Sequence, residues 1–428
     1  NYISYNTLSS NTGRGIYLYN CYWNYLTSNT AINNNYGIVV EYSRNNTIIN
    51  NNFNSNVWYG IYLYSSINNT IGNNNALSNY YGIGLSFSNE NHIVNNTANY
   101  CDMVGIYLLE SNNNFLISNI ISNNDYDGMY LYNCSNNIIT NNIAMYNKGS
   151  GIQLQSSFLN VFLNNNLSSN HYHGIVIAYY CHNNTVSNNT VQSNLYQGIF
   201  IYSYSCGNII KGNTVSANQY NGIRIRTYSE DNRIYHNTII GNTIQAYDIC
   251  NNSWDNGYPA GGNYWNDYTG VDEKGGPSQD ILCGDGIGDT PYTNIDGNRS
   301  ARDSYPLTAP WGHCVPKSQV SGPPEYWVKE HTMTINGLAN DLETYVEDVT
   351  LFFRYSSDNS TWSDYNIVST LNSEPWIWNF NFPGGEGFYE FYSVASDSDR
   401  YVEPEPSAAD ASYAYDITPP DIADNSLS

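Results

Sequence analysis

The sequence predicts an all-β protein: a right-handed parallel β-helix of about eleven coils, followed by a cap and a β-sandwich. Three observations predict this class. A motif recurs every 22–24 residues through the first 250 positions, columns of asparagine and of apolar residues keep phase with that motif, and alternating strand-like segments replace it near the end of the chain. At 428 residues the chain is long enough for more than one domain.

The repeated motif is a glycine followed by an apolar residue, any residue and a second apolar residue. A strand rises about 3.3 Å per residue, so one period holds three short strands only if the chain coils round a triangular section. Because crossovers between parallel strands are nearly always right-handed, we expect a right-handed β-helix over residues 1–250. Ala246 takes the glycine register of the last coil. The motif glycines are Gly15, Gly37, Gly60, Gly82, Gly105, Gly128, Gly151, Gly174, Gly198 and Gly222.

Asparagine fills two unbroken columns of the repeat, one beginning at Asn24 and the other at Asn29. Stacked amides hydrogen-bond along such columns, whereas a buried asparagine without a partner costs about 1 kcal/mol or more. We therefore expect the second column to form a buried structural ladder. Its members are Asn29, Asn51, Asn74, Asn96, Asn119, Asn142, Asn165, Asn189, Asn213 and Asn237.

Changes in composition divide the rest of the chain into four segments. Residues 251–314 are rich in Asp, Gly and aromatic residues, which can plug the open end of the helix. Residues 315–325 contain three prolines and predict a linker. Residues 326–417 alternate between strand-like runs and turn clusters, which predicts an immunoglobulin- or fibronectin-like sandwich. Residues 418–428 predict a linker or the start of another module.

The repeat Gly-Ile-x-Leu, Asn-Asn-x-Ile, Asn-Asn resembles the NosD-like parallel β-helix repeats of bacterial and, especially, archaeal surface proteins. The segments 262–268, 284–292 and 303–307 look like the motif that closes such arrays. The appended sandwich looks like the modules of archaeal surface proteins. The resemblance implies the fold over residues 1–310, but not one function, because the same coils serve in adhesins, surface layers and sugar-active enzymes.

The charge balance excludes some classes of partner. There are 14 Lys and Arg against 37 Asp and Glu, a net charge of −23, and so few cations argue against nucleic-acid binding. No stretch reaches the roughly 18 apolar residues of a membrane span. Cysteine content and glycosylation sequons favour an extracellular, cell-surface location. The sequon asparagines are Asn45, Asn68, Asn95, Asn133, Asn166, Asn183, Asn188, Asn251, Asn298 and Asn359.

Two pairs among the eight cysteines are candidate disulfides. Cys181 and Cys206 fall at neighbouring positions of adjacent coils, close enough to bridge. Cys283 and Cys314 flank the cap and form the other candidate pair.

The cap also contains a candidate calcium site. Its segment Asp-Gly-Ile-Gly-Asp resembles the latter half of an Asp/Gly-rich calcium loop, in which carboxylates and a backbone carbonyl supply hard oxygen ligands. A hydrogen-bonded Asp/Gly turn without metal is the alternative. The candidate ligands are Asp280, Asp285, Asp289 and Asp296.

Residues two and four positions after each motif glycine face outward, and many are tyrosine. Tyrosine is amphipathic and stiff, which suits protein interfaces and sugar stacking alike, although stacked rings can also serve only to support a sheet. We expect self-association through this flank and through the ends of the helix, giving a filament, sheath or surface layer; glycan binding is the alternative. The tyrosines are Tyr17, Tyr19, Tyr62, Tyr64, Tyr107, Tyr130, Tyr132 and Tyr202.

Candidates for catalysis lie in one turn column. Stacking of the coils places Asp102 and Asp125 about 5 Å apart, with Asp127 nearby, and paired carboxylates can form an acid–base couple. An exposed ladder with an Asp125–Lys148 ion pair accounts for the same residues. We therefore expect a structural protein that is not an enzyme. The alternative is a carbohydrate-active β-helix protein, either a polysaccharide lyase or hydrolase or a glycan-binding adhesin.

Overall fold

The computed structural model describes residues 1–282, 284–298, 300–311, 316–340, 345–398, 402–403, 405–406 and 408–418. The chain forms two compact units, residues 1–311 and residues 312–428. The described residues form strands and turns without any α-helix, which confirms the predicted all-β class. Within these residues, therefore, no helix is long and apolar enough to cross a membrane.

The first unit is a parallel β-solenoid in which each motif glycine lies in, or directly before, a strand of the longest sheet, so the predicted helix of about eleven coils is confirmed. Equivalent strands of successive coils pair in register; Ile83, for example, lies between Ile61 and Ile106. The strands of this long sheet are β3 (Arg14–Tyr19), β6 (Tyr36–Glu41), β8 (Tyr59–Tyr64), β10 (Tyr81–Ser86), β12 (Ile106–Leu109), β14 (Met129–Tyr132), β16 (Ile152–Gln155), β18 (Ile175–Ala178), β21 (Ile199–Tyr202), β24 (Asn221–Ile225), β27 (Ile244–Asp248) and β31 (Ile295–Gly297).

Shorter strands form the other two faces of the solenoid. The second face is one continuous sheet of β1 (Tyr2–Ser4), β4 (Tyr25–Thr27), β7 (Thr47–Ile49), β9 (Thr70–Gly72), β11 (His92–Val94), β13 (Phe115–Ile117), β15 (Ile138–Thr140), β17 (Val161–Leu163), β19 (Thr185–Ser187), β22 (Ile209–Lys211) and β25 (Arg233–Tyr235). The third face is made of β2 (Thr7–Ser9), β5 (Thr30–Ile32), β20 (Thr190–Gln192), β23 (Thr214–Ser216), β26 (Thr238–Ile240) and β28 (Tyr264–Trp265). Single parallel bridges continue this third face through the middle coils.

Inside the solenoid, apolar side chains stack coil upon coil and form one continuous core. The motif glycines are required because the chain turns inward there. A Cβ on Gly105 would lie 2.2 Å from Cγ2 of Ile121, a distance that the packed interior cannot accommodate. In each coil the motif glycine and the apolar residue after it both face the core. The residue before the glycine and the residue two after it therefore both lie on the outer face.

All ten asparagines of the predicted ladder are buried. Each Nδ2 donates to Oδ1 of the equivalent residue in the next coil; Asn29 to Asn51, for example, is 3.0 Å. The backbone N–H of each ladder residue donates to the same oxygen, as Asn29 does at 2.9 Å. Sequence reasoning missed a third amide ladder, which includes Asn34, Asn56 and Asn79, and a column of Ser and Cys.

The amide ladders end on oxygen acceptors in the last coil and the cap. The ladder that begins at Asn24 ends at Asp248, and the ladder that begins at Asn29 ends at Asp303. The third ends on Oε1 of Gln245. Gln245 also takes the glycine register of the last coil, since Ala246 pairs with Ile223, one position later than the sequence predicts.

The cap therefore continues the solenoid. Trp254 and Trp265 are fully buried at its end, and each indole N–H donates to one of the ladder-ending carboxylates. A short hairpin of β29 (Lys274–Gly275) and β30 (Ile281–Leu282) lies within the same segment.

The structure does not form the predicted disulfide between Cys181 and Cys206, since both are free thiols. Cys181 occupies the interior Ser/Cys column, where its Sγ accepts a hydrogen bond from the backbone N–H of Ser157. In the next coil Ser205 holds that column, and Cys206 lies one residue beyond it. Cys283 and Cys314 lie outside the described residues.

The second unit consists of two sheets around a core that includes Trp378 and Phe391. Its three-stranded sheet contains β32 (Lys317–Ser321), β34 (Met333–Asn340) and β37 (Ile377–Phe380); its five-stranded sheet contains β33 (Trp327–Val328), β39 (Ala411–Tyr415), β38 (Gly387–Asp397), β35 (Val346–Ser356) and β36 (Asn366–Leu371). Strand β32 lies inside the segment predicted as a linker. The immunoglobulin-like assignment remains a prediction, and residues 419–428 lie outside the described part of the chain.

Candidate functional site

Two columns of side chains cover the outer face of the long sheet: the residue before each motif glycine and the residue two after it. The five coils from Asp127 to Arg224 differ from the earlier coils because the residue before the motif glycine is polar in each of them. We call this part the polar strip. It comprises Asp127, Tyr130, Ser150, Gln153, His173, Val176, Gln197, Phe200, Asn221 and Arg224.

The earlier coils present a continuous chain of tyrosine rings. Neighbouring ring centroids are 4.9 Å apart for Tyr59 and Tyr81, 5.6 Å for Tyr81 and Tyr107, and 5.7 Å for Tyr107 and Tyr130. Gly84 interrupts the column because the ring of Tyr59 fills its place; a Cβ there would lie 2.3 Å from Cε1 of that ring. The chain of rings ends where the polar strip begins.

All eight tyrosines predicted to face outward lie on this sheet. Tyr17, Tyr19 and Tyr132 are exposed, and the other five are half-buried. Much of the ring surface is used within the chain, as in the pair Tyr62–Tyr64. Their role in binding stays a prediction.

Asp127 is the carboxylate of the strip. It is only 2% exposed, and its Oδ1 accepts a hydrogen bond of 2.7 Å from the backbone N–H of Ser150. Its Oδ2 is buried with no hydrogen-bond partner among the described residues. Burial raises the pKa of Asp127 to about 7, because a desolvated carboxylate favours its neutral form. A carboxyl with this pKa can both take and give a proton near neutral pH.

Space for that carboxylate comes from Gly149 in the next coil. A Cβ on Gly149 would lie 2.5 Å from Oδ1 of Asp127. The glycine is therefore needed to seat the acid against the sheet.

His173 lies two coils beyond Asp127 in the same column. Burial and, secondarily, the charge of Arg224 lower the pKa of His173 to about 4, so the imidazole is neutral at pH 7. Its Nδ1 accepts a hydrogen bond of 3.3 Å from the backbone N–H of Gln197, which leaves the proton on Nε2. The ring also packs 5.2 Å from the ring of Phe200.

The strip ends with three further polar groups. Gln197 and Asn221 are each 4% exposed, and Arg224 is half-buried. Oε1 of Gln197, Nδ2 of Asn221 and Nε of Arg224 are buried without a hydrogen-bond partner among the described residues.

Unpartnered polar atoms are concentrated in the strip. Seven buried side-chain polar atoms lack a hydrogen bond within the described part of the chain, and four of them belong to Asp127, Gln197, Asn221 and Arg224. Each such atom costs about 1–3 kcal/mol. Their grouping on one face indicates a place where a polar ligand or ordered water supplies the missing partners.

Asp102 and Asp125, the predicted catalytic pair, have a different environment. Both are exposed, and Asp125 forms a 2.9 Å ion pair with Lys148. This is the surface ladder that the sequence offered as the alternative. Of the three candidates, only Asp127 belongs to the polar strip.

The aspartates of the candidate calcium site bind backbone amides. Asp285 accepts from Gly276 and Ile287, and Asp289 accepts from Lys274. Asp280 and Asp296 are placed on other parts of the cap, and both are exposed. The described residues contain no cluster of three or more His, Cys, Asp or Glu that could hold a metal ion. Calcium binding remains a prediction.

Most of the sequon asparagines lie at exposed corners of the chain, whereas Asn45, Asn166 and Asn298 are half-buried. Asn45 and Asn68 belong to adjacent coils, and Nδ2 of Asn68 donates to Oδ1 of Asn45 at 2.7 Å.

The chain belongs to a family of known fold. A family model described as "Right handed beta helix region" matches residues 1–76, 36–191 and 160–261, which together exceed half of the chain. The protein is a member of that family, and the predicted handedness is confirmed. No curated protein matches the sequence.

Similar solved structures include three polysaccharide-modifying proteins. The A-module of Azotobacter vinelandii mannuronan C-5 epimerase AlgE6 is 15% identical, with 58% of this chain and 74% of that chain covered and a TM-score of 0.36. The periplasmic alginate epimerase AlgG is 14% identical, with 59% of this chain and 76% of that chain covered and a TM-score of 0.40. A Paenibacillus alginate lyase is 11% identical, with 58% of this chain and 97% of that chain covered and a TM-score of 0.34.

At these identities the likenesses concern the fold alone. All three similar proteins are nevertheless enzymes, and this finding overturns our expectation that the protein is not an enzyme.

Sequence reasoning missed His173, Gln197 and Asn221 as a group. The signal was present, because the column before the glycines contains Tyr36, Tyr59 and Tyr81, then Val104, and is polar in every coil from Asp127 to Asn221.

Proposed function

We propose that this protein is carbohydrate-active: it binds a linear polysaccharide along the polar strip and acts on it by proton transfer through Asp127. The observation that carries the proposal is the concentration of unpartnered, buried polar atoms on one strip of one face. These atoms include both acceptors and donors, and a sugar hydroxyl can satisfy either kind because it donates and accepts hydrogen bonds.

The length of the strip also supports an extended ligand. Five coils at about 4.8 Å span roughly 20 Å, and the coil repeat is close to the length of one sugar unit in an extended chain. Phe200 and Tyr130 provide aromatic surface beside the polar groups, as carbohydrate sites commonly do.

Asp127 is the proton-transferring residue of this proposal. Its pKa near 7 and its bare Oδ2 suit either removal of a proton from a bound sugar or donation to a leaving oxygen. The neutral His173 offers an Nε2–H donor on the same face.

The test is a panel of acidic and neutral linear polysaccharides, with turnover followed by reducing ends, ultraviolet absorbance and proton NMR. We expect one class to be bound and changed, and Asp127→Asn to lower kcat at least 100-fold while binding persists. This substitution keeps the acceptor for Ser150.

Asp125→Asn is the matched control, because Asp125 is a surface carboxylate two residues away in an ion pair. We expect it to retain wild-type rates. Equal losses in the two variants, or absence of binding to every polysaccharide, would contradict the proposal.

Self-association is the second candidate function. It is favoured by exposed rings on the tyrosine flank, such as Tyr19, which is 56% exposed. Sedimentation velocity over a wide concentration range tests it, and Tyr19→Ser should weaken any oligomer. Dispersed monomers at the highest concentration would count against it.

An extracellular location is part of the same proposal, because a protein that acts on linear polysaccharides of the cell exterior must be exported. The sequons support it, whereas the free thiols of Cys181 and Cys206 remove one of the disulfides that had favoured it. Cell-surface attachment remains a prediction.

A further inference from the structure

Arg224 holds an uncompensated positive charge on the polar strip. Its guanidinium lies between two aromatic rings of the same column, 5.9 Å from the centroid of Phe200 and 4.9 Å from that of Tyr247. Among the described residues it has no carboxylate within ion-pair distance.

Two other cations of the solenoid lie close to a carboxylate. Lys148 pairs with Asp125. Arg14 lies 4.1 Å over the ring of Tyr17, whose hydroxyl donates to Glu41, so a carboxylate is close by. Arg224 alone among these three has a buried Nε with no partner in the described part of the chain.

Asn221 places a second free donor beside Arg224. Both residues belong to β24 and face outward, and the Asn221 side chain is 4% exposed with Nδ2 unpartnered among the described residues. Two unsatisfied donors and one uncompensated positive charge therefore meet at the same coil. Only an acceptor of negative charge satisfies all three.

We propose that Arg224 and Asn221 bind an oxyanion substituent of the polysaccharide, a carboxylate or a sulfate, so that the ligand is an acidic glycan. This rests on the proposed function and specifies its substrate class. The bound anion neutralises Arg224 and accepts hydrogen bonds from its Nε–H and from the Asn221 amide. The aromatic rings on either side fix the plane of the guanidinium.

The experiment compares polygalacturonate with its carboxyl-reduced, neutral counterpart, and a sulfated galactan with its desulfated form, by calorimetry. We expect the wild type to bind an anionic form at least tenfold more tightly than its neutral partner. Arg224→Gln should abolish that preference, and so should Asn221→Asp, because the new carboxylate would neutralise Arg224. Arg44→Gln, an exposed cation on another face, is the control and should keep it.

Inorganic sulfate and acetate supply an independent readout. Either anion should raise the Tm of the wild type and of Arg44→Gln, and leave the Tm of Arg224→Gln unchanged. The pair of glycans that shows the preference distinguishes carboxylate from sulfate.

The outcomes separate this inference from the proposed function. Equal binding of charged and neutral glycans, unaltered in Arg224→Gln, overturns the oxyanion site and leaves polysaccharide binding intact. A preference that survives in Arg224→Gln also overturns it. Failure of every glycan to bind refutes the proposed function, while the anion-dependent Tm still decides for or against the oxyanion site.

Discussion

At the scale of single residues, the same burial that makes Asp127 chemically useful makes it costly for stability. Its pKa is raised from 3.8 to about 7, so the folded protein holds the proton more tightly than the unfolded chain does. The contribution of Asp127 to stability is therefore full below about pH 4 and is lost as the pH rises towards 7. Sites that carry chemistry often contain such destabilising groups.

We predict that Asp127→Asn raises Tm at pH 8 and leaves it almost unchanged at pH 4, because the amide keeps the acceptor for Ser150 but never ionises. Scanning calorimetry at several pH values measures the difference. Asp125→Asn, on the exposed side of the turn, should change Tm little at either pH. A Tm difference that is equal at both pH values would refute the assigned ionisation.

Gly149 gives a prediction about geometry. Adding a methyl group at this position forces the carboxylate of Asp127 away from Ser150, since the new Cβ would lie 2.5 Å from Oδ1. We expect Gly149→Ala to cost about 1–3 kcal/mol of unfolding free energy and to reduce turnover. Gly13→Ala is the control, because a Cβ there meets nothing within 4 Å. Equal stability of the two variants would show that the site is not closely packed.

At the scale of the elements, each coil is held to the next by amides as well as by strand pairing. Asn74 is 1% exposed; it donates to Asn96 and to the carbonyl of Ile48, and it accepts two hydrogen bonds from Asn51. Removing the Asn74 side chain therefore takes the acceptor from two donors of Asn51 and takes a donor from the oxygens of Asn96 and Ile48.

We predict that Asn74→Ala lowers the free energy of unfolding by about 3 kcal/mol or more, because several buried groups lose their partners together. The next residue, Asn75, is exposed, and Asn75→Ala should cost less than about 0.5 kcal/mol. Chemical denaturation of the two variants measures the contrast. Comparable losses would mean that the ladder contributes little.

The elements were predictable to the extent that they repeat. The motif glycines and the Asn29 ladder recur in every coil, so the phase fixes which side chains face the core. The third ladder escaped notice because Cys101 replaces one of its asparagines. Ala246 was misplaced by one residue because its coil lacks the glycine that marks the register.

The site was less predictable, because it does not repeat. Asp127 was identified as a candidate, but its place in one strip with His173 and Asn221 depends on a column whose residue types change between coils. The disulfide between Cys181 and Cys206 was wrong for a related reason: adjacency in the coil does not say which side of the strand a thiol occupies.

At the scale of the whole solenoid, the ladders have a direction. In the Asn29 ladder each Nδ2 donates to the Oδ1 of the next coil towards the C-terminus, so the last asparagine of the column needs an oxygen acceptor in the cap. Asp303 fills this role for the Asn29 ladder: its carboxylate accepts from the backbone of Asn263, from the indole of Trp265 and from the backbone of Tyr305.

We predict that Asp303→Asn destabilises the cap by about 1–3 kcal/mol, because the new amide presents donors where an indole or backbone N–H needs an acceptor. Trp254 and Trp265 are buried beside it, so tryptophan fluorescence should report an early transition of the cap, before the coils unfold by circular dichroism. Asp296→Asn, an exposed carboxylate on β31, should unfold like the wild type. A single coincident transition with unchanged Tm in Asp303→Asn would show that the polarity of the ladders does not determine how the helix is closed.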